Sequence, residues 1–141
     1  MVAMVNHTRV DGKNLNDLVR EGKIKQVRLN EIIERTKKGG AEIVKYLEKG
    51  SAYYAPAASG VEMAESYLKD LKKELPCAAY LNSEYGVKSI YAGVPVIIGA
   101  NGVEKVIEIN LEKKEKEDFN KSIEAVRELI NAAIKIDPTL K

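Results

Sequence analysis

Cysteine and histidine are nearly absent from this 141-residue sequence, and tryptophan is missing altogether. The single cysteine, Cys77, excludes a disulfide framework and a thiolate metal cluster, and the single histidine, His7, excludes a metal site built from several histidines. No apolar run approaches the roughly 20 residues of a membrane-spanning helix. Asn6, His7 and Arg9 interrupt the short apolar start, so it does not read as a signal peptide. These absences predict a soluble, cytoplasmic protein without a membrane partner.

The charge pattern likewise excludes one class of partner and points to none. Lysine and arginine number 23 against 21 acidic residues, and the two signs are interleaved rather than gathered on one face, so a nucleic-acid partner is not expected. The sequence has no G-x-G-x-x-G, no P-loop and no nucleophile motif. His7 could serve as a general base, but no acidic neighbour in the sequence orients it. We expect a surface or packing role for this histidine.

Apolar residues recur at helical spacing in four stretches and alternate in a region between the last two. The helical stretches are 15–22, 26–49, about 56–74 and 119–136, and the strand stretches are 77–81, 89–91, 93–99 and 103–111. Asn101-Gly102 is a strong hairpin signal. Pro95 should stand at the start or on an edge of its strand, because proline cannot donate to a ladder. Helices, then antiparallel strands, then a closing helix predict the α+β class.

Gly39-Gly40 lies in the middle of the long helical stretch 26–49. Two interior glycines destabilise a helix by about 2 kcal/mol relative to alanine. One interpretation is that another helix or chain approaches closely at this point, which only glycine would permit. The other is a kink in the helix.

The stretch from Lys49 to Ser59 predicts a broken helix, and the rest of the chain is organised around it. Gly50 is typical of a helix end, and Pro56 suits the first turn of a new helix, where its missing N–H costs nothing. The free N–H groups of such a start favour a carboxylate or phosphate. The alternative is a plain helix–helix corner capped by Ser51.

Whole segments of the chain are also similar to a known family. These segments are 35–44, 50–58, 63–70, 75–81, 84–88 and 91–104, the last containing Gly-Val-Pro-Val-Ile-Ile-Gly-Ala-Asn-Gly-Val-Glu. Together they resemble the NAD-dependent malate dehydrogenases of the lactate-dehydrogenase-like type. The resemblance covers essentially the whole chain.

The resemblance implies that residues 1–141 are the C-terminal, substrate-side domain of such an enzyme. Met1-Val2-Ala3-Met4 aligns with the family's Met-Val-Pro-Leu segment, which follows the Gly-x-His-Gly-Asp motif of the catalytic histidine. The catalytic histidine, the substrate arginines and the NAD-binding Rossmann domain would then lie upstream, and His7 does not match the catalytic position. What the resemblance leaves to this chain is one wall of the substrate pocket, carried by Ser51, Ala52 and Pro56.

Two functions follow from this interpretation. The first is the C-terminal part of a malate dehydrogenase, which oxidises (S)-malate reversibly to oxaloacetate with NAD in the tricarboxylic acid cycle. This chain would contribute pocket wall and subunit contacts in a homo-oligomer, pair with the missing Rossmann half and be inactive alone. The alternative is a non-catalytic module that self-associates or binds a partner enzyme. The apolar start at Met1 to Val5 favours a segment that continues from something upstream.

Overall fold

The computed structural model describes residues 2–140, and the internal contacts of the chain divide into two compact units. The first unit ends at Ala52 and also includes residues 113–119, while the second contains residues 53–112 and those from Asn120 onward. Within the described residues, the helices are α1 (Leu15–Arg20), α2 (Gln26–Lys37), α3 (Gly39–Leu47), α4 (Tyr54–Leu68) and α5 (Lys113–Ile136). The strands are β1 (Arg9–Val10), β2 (Lys13–Asn14), β3 (Lys73–Leu81), β4 (Ile90–Gly99) and β5 (Gly102–Val106). The α+β prediction is confirmed.

A tight hairpin precedes α1 in the first unit. Asp11 and Gly12 both have positive φ, at 49° and 78°, and connect β1 to β2 as a type I′ turn requires. The Asn14 side chain then caps α1 by accepting a hydrogen bond of 2.9 Å from the backbone N–H of Asn16. The small core of this unit consists of three leucines: Leu15, Leu18 and Leu29.

The predicted helix 26–49 is two helices, α2 and α3, that meet at Lys38. Lys38 has φ −101° and ψ 2°, outside helical values, and α3 starts directly at Gly39 and Gly40. A Cβ atom built on either glycine would meet open space among the described residues, so neither glycine accommodates a close neighbour within this chain. The kink interpretation is confirmed, and α3 ends two residues before the predicted Lys49.

The second unit is built on an antiparallel sheet with the strand order β3-β4-β5. The prediction separated 89–91 from 93–99, whereas the structure joins them in the single strand β4, and β5 ends at Val106 rather than at 111. One face of the β3–β4 pair is buried and apolar, and the other is exposed. The buried hydrophobic residues of these two strands are Cys77, Ala79, Leu81, Ile90, Ala92, Val94, Val96 and Ile98.

The hairpin between β4 and β5 turns where the sequence predicts it. Gly99 pairs with Gly102, and Gly102 has a φ of +84°. A Cβ atom on Gly99 would lie 2.5 Å from a carboxylate oxygen of Glu104 and 2.7 Å from one of Asp70. Glycine at this position therefore makes room for two acidic side chains, one of which, Asp70, accepts a hydrogen bond from the backbone N–H of Ala100.

The prediction for Pro95 is wrong, because this proline lies in the interior of the central strand, opposite Pro76 of β3. The Pro95 carbonyl accepts a hydrogen bond of 2.8 Å from the N–H of Ile107, so the backbone of Pro95 faces the β5 side. Pro76 and Pro95 consequently oppose each other where the β3–β4 ladder needs no hydrogen bond, and the nitrogen of Pro76 faces the open edge of β3.

Tyr85 compensates for the N–H that Pro95 lacks. Its hydroxyl donates to the carbonyl of Ile107 at 2.7 Å, the group opposite Pro95, and accepts from the N–H of Ile109 at 3.1 Å. Burial raises the pKa of the Tyr85 phenol, which stays protonated at neutral pH and can donate. The carboxylate of Glu108 accepts the backbone N–H of Tyr85 at 2.6 Å and fixes the same loop.

Replacing Tyr85 with phenylalanine should destabilise the chain by about 1–3 kcal/mol, because it leaves a carbonyl and an N–H without their partner. The measurement is the free energy of unfolding in urea. Tyr91→Phe is the matched control, since Tyr91 lies on the exposed face of the sheet and packs edge-on against Tyr80. Equal losses in the two variants would contradict the role assigned to the Tyr85 hydroxyl.

Candidate functional site

The chain leaves α3 through a strained turn. Glu48 has φ 58° and ψ −37°, and the N–H of Lys49 bonds to the carbonyl of Leu47 at 2.5 Å, which closes a γ-turn. Gly50 follows with φ 96°. A positive φ at a residue other than glycine costs about 1–3 kcal/mol, and such strain is found preferentially at functional positions. The turn begins at Glu48, two residues before the Gly50 that the sequence indicates.

The next helix, α4, begins at Tyr54, so Pro56 lies in its first turn as predicted. Tyr53 is the N-cap residue and its side chain makes no capping hydrogen bond. Ser51 therefore does not cap α4, although the chain does form a corner between α3 and α4 here. By helix geometry the N–H groups of Tyr54 and Ala55 have no acceptor within the helix, and Pro56 has no N–H that needs one.

The structure places the predicted pocket-wall residues on both sides of this helix start. Ser51 and Ala52 close the first unit, with Ser51 exposed and Ala52 half-buried. Pro56 belongs to the second unit and is exposed. Their assignment to a pocket wall stays a prediction from the resemblance.

An ion pair that the sequence reading missed spans the bend between α2 and α3. The guanidinium of Arg35 donates two hydrogen bonds to the Glu42 carboxylate, Nε to Oε2 at 3.0 Å and Nη2 to Oε1 at 2.8 Å. Residues seven apart in an unbroken helix are separated by about 10.5 Å along the axis. The pair therefore bridges the bend at Lys38. In the sequence, the signal that could have predicted this ion pair was an arginine and a glutamate seven residues apart, on either side of a glycine pair.

The bend also forms a groove of about 450 Å³ in the first unit. Its walls include Ile32, Ile43 and Tyr46 on the apolar side and the Arg35–Glu42 pair on the polar side. Gly39 lines the groove as well, and its missing side chain leaves the groove open. The charges here satisfy each other, so the groove offers an apolar contact surface rather than a charged ligand site.

The remaining reactive residues have structural surroundings. His7 is exposed at the end of a short 3-10 turn, Val5–His7. Cys77 is buried in β3, and burial raises the pKa of its thiol, which disfavours the thiolate. Among residues 2–140, no cluster of three or more metal-ligating side chains is present. In that same part of the chain, every helix is too short or too polar to span a membrane.

Comparison with known proteins identifies close relatives. A family model described as lactate/malate dehydrogenase, alpha/beta C-terminal domain, matches residues 1–136. A malate dehydrogenase of Pelagibacter ubique is 66% identical over 140 residues, which are 99% of this chain and 44% of that protein. The chain thus spans less than half the length of this relative.

Solved structures give the same result. The crystal structure of Cryptosporidium parvum malate dehydrogenase matches with a TM-score of 0.89 and 46% identity, over 92% of this chain and 41% of that one. The lactate dehydrogenase of Eimeria maxima, solved with NADH and oxamate, matches with a TM-score of 0.92 and 39% identity, over 96% of this chain and 42% of that one.

Acid should loosen the α2–α3 bend. The hydrogen bonds from Arg35 hold the pKa of Glu42 below its ordinary value of 4.5. A depressed pKa contributes stability that is present above the ordinary value and is lost as the pH falls through the lower, folded value. We expect the amide resonances of α3 to shift and broaden in that acidic window.

Glu42→Gln should remove this dependence, because an amide carries no charge at any pH in the window. Glu31→Gln is the control, since Glu31 pairs with Arg28 within α2 alone, at 3.0 Å. Amide NMR spectra of the three proteins over an acid titration make the comparison. An unchanged acid response in Glu42→Gln would contradict the assignment.

Proposed function

We propose, from the fact that this chain belongs to the lactate/malate dehydrogenase family as its alpha/beta C-terminal domain, that it is the substrate-side part of a malate dehydrogenase. The complete enzyme would oxidise (S)-malate reversibly to oxaloacetate with NAD. This chain would supply one pocket wall and subunit contacts, and it would be inactive without an N-terminal half.

The observation that carries the proposal is the identity of 66% with a malate dehydrogenase over nearly the whole chain. Identity to the Eimeria lactate dehydrogenase is lower, at 39%, although its TM-score of 0.92 is as high as the 0.89 of the Cryptosporidium malate dehydrogenase. The fold therefore does not discriminate between malate and lactate, and the preference for malate rests on sequence identity. Cytoplasmic location and a place in the tricarboxylic acid cycle belong to the same proposal.

NAD binding is assigned mainly to the N-terminal half. This sequence has no G-x-G-x-x-G loop. Its glycine-containing run at 99–102 forms the hairpin turn between β4 and β5. The part of this chain in the reaction is to enclose and orient the 2-oxo acid.

Ser51, Ala52 and Pro56 are the proposed pocket wall. All three have short or compact side chains, which leave room for a substrate that carries a second carboxylate. The start of α4 adds unpaired N–H groups and the positive end of the helix dipole. We propose that the size of these side chains helps to select among 2-oxo acids.

The decisive experiment measures NADH oxidation by oxaloacetate with this chain alone and with the chain mixed with the N-terminal half of a close malate dehydrogenase. No rate from the chain alone and a rate from the mixture would support the proposal. Pyruvate in place of oxaloacetate is the substrate control. A rate from the chain alone would contradict the expectation that the catalytic histidine lies outside this chain. A silent mixture of two folded halves would favour the non-catalytic module.

Self-association is expected of the isolated chain. Tyr54, Val61 and Leu68 on α4 are exposed to 89%, 67% and 79%, and such apolar surface favours a partner: the Rossmann half, a second copy, or both. Light scattering at micromolar concentration should report dimers or larger species, and a clean monomer would contradict the expectation. Leu68→Lys should shift the population toward monomer. Ser59→Lys, which adds the same charge on the same helix without removing apolar surface, should not.

A further inference from the structure

Helix α4 has very little apolar anchorage within its own unit. Of its residues, all of which the structure describes, the buried one is Ser66, with 0% exposure. The apolar side chains of the helix face outward. An ordinary surface helix is held by an apolar stripe against a core, and α4 lacks such a stripe in this unit.

The Ser66 hydroxyl is inserted into the backbone ladder of the sheet. Lys73 of β3 and Ile98 of β4 are partners in the strand register. The Ser66 hydroxyl donates to the carbonyl of Ile98 at 2.7 Å and accepts the N–H of Lys73 at 3.2 Å. The serine therefore contributes two hydrogen bonds to this strand pair, and its hydroxyl is satisfied as both donor and acceptor.

The backbone of Ser66 is held at the same place. Its carbonyl accepts the N–H of Leu71 at 3.0 Å, so the chain that leaves α4 turns back onto this residue. A second link from helix to sheet, between Glu62 and the Nζ of Lys73 at 3.4 Å, is exposed. Exposed ion pairs stabilise little and tolerate movement. Ser66 is thus the fixed point of α4.

The geometry points to Ser66 as a positioning residue that sets where the first turn of α4, with Pro56, lies against the sheet. Pro56 is ten residues before Ser66, or about 15 Å along the helix axis. A hydroxyl with two partners fixes both the rotation and the axial position of the helix end from which that length extends. This inference rests on the proposed function in one respect, that Pro56 belongs to the substrate pocket.

The anchor can be tested without any activity. Spin labels on Ala57→Cys and Lys105→Cys, two positions of the second unit that are exposed, report the distance from the start of α4 to β5. Cys77 is buried and does not compete for label. Ser66→Ala should shift or broaden the distance distribution, whereas Ser59→Ala should not, because the Ser59 hydroxyl bonds only within the helix, to the carbonyl of Ala55. A distribution in Ser66→Ala identical to the unsubstituted one overturns the inference.

Amide exchange on the unsubstituted chain provides a test that requires no variant to fold. Protection should be greatest around Ser66 and decline toward Tyr54. Uniform protection along α4 overturns the inference.

Kinetics then test the positioning role. In the active mixture with the N-terminal half, Ser66→Ala should raise KM for oxaloacetate about tenfold with a smaller change in kcat, and Ser59→Ala should change neither. A fall in kcat at constant KM would mean fewer folded molecules and would overturn the positioning role. If no mixture is active, the proposed function fails, whereas the label distances still decide whether Ser66 anchors α4.

Discussion

Two side-chain hydroxyls bind backbone groups at the points where the sheet of the second unit meets α4 and passes Pro95. Ser66 bridges Lys73 and Ile98 where β3 and β4 meet the end of α4, and Tyr85 bridges Ile107 and Ile109 where the ladder runs past Pro95. Each hydroxyl donates once and accepts once, so each is bonded to two backbone groups of the sheet or of the chain that follows it. The sheet can therefore contain a central proline and hold an exposed helix.

In the first unit, the chain changes direction between two consecutive helices, α2 and α3, which meet at Lys38. The glycine pair makes the backbone permissive at the bend, and Arg35 fixes the bend through a bidentate contact with Glu42 in the first turn of α3. Glu42 is also favourable at that position because a carboxylate near a helix N-terminus interacts well with the dipole. Flexibility comes from one sequence feature and restraint from another.

Local chemistry made some elements predictable. The Asn101-Gly102 hairpin and the helical stretch 119–136, which lies within α5, depend on contacts close in sequence, and the structure contains both. The α2–α3 break was ambiguous because a helical period continues through Gly39, and only the fold decides between a bend and a close contact.

The position of Pro95 in its strand was misjudged because Tyr85, whose hydroxyl takes the place of the missing proline N–H, meets it only in the folded chain. Ser66 gave no signal, since a serine in an apolar stripe does not reveal what its hydroxyl contacts. The pocket wall at Ser51, Ala52 and Pro56 came from family resemblance and remains a prediction.

Pro76 lies with its nitrogen toward the free side of β3, in the strand that would otherwise present an unpaired backbone to any other chain. Proline offers no N–H there, and its ring obstructs a strand that approaches in register. A copy of this chain that meets another is therefore steered away from joining the two sheets edge to edge. Open-ended growth by strand addition along this edge is therefore obstructed at the middle of β3.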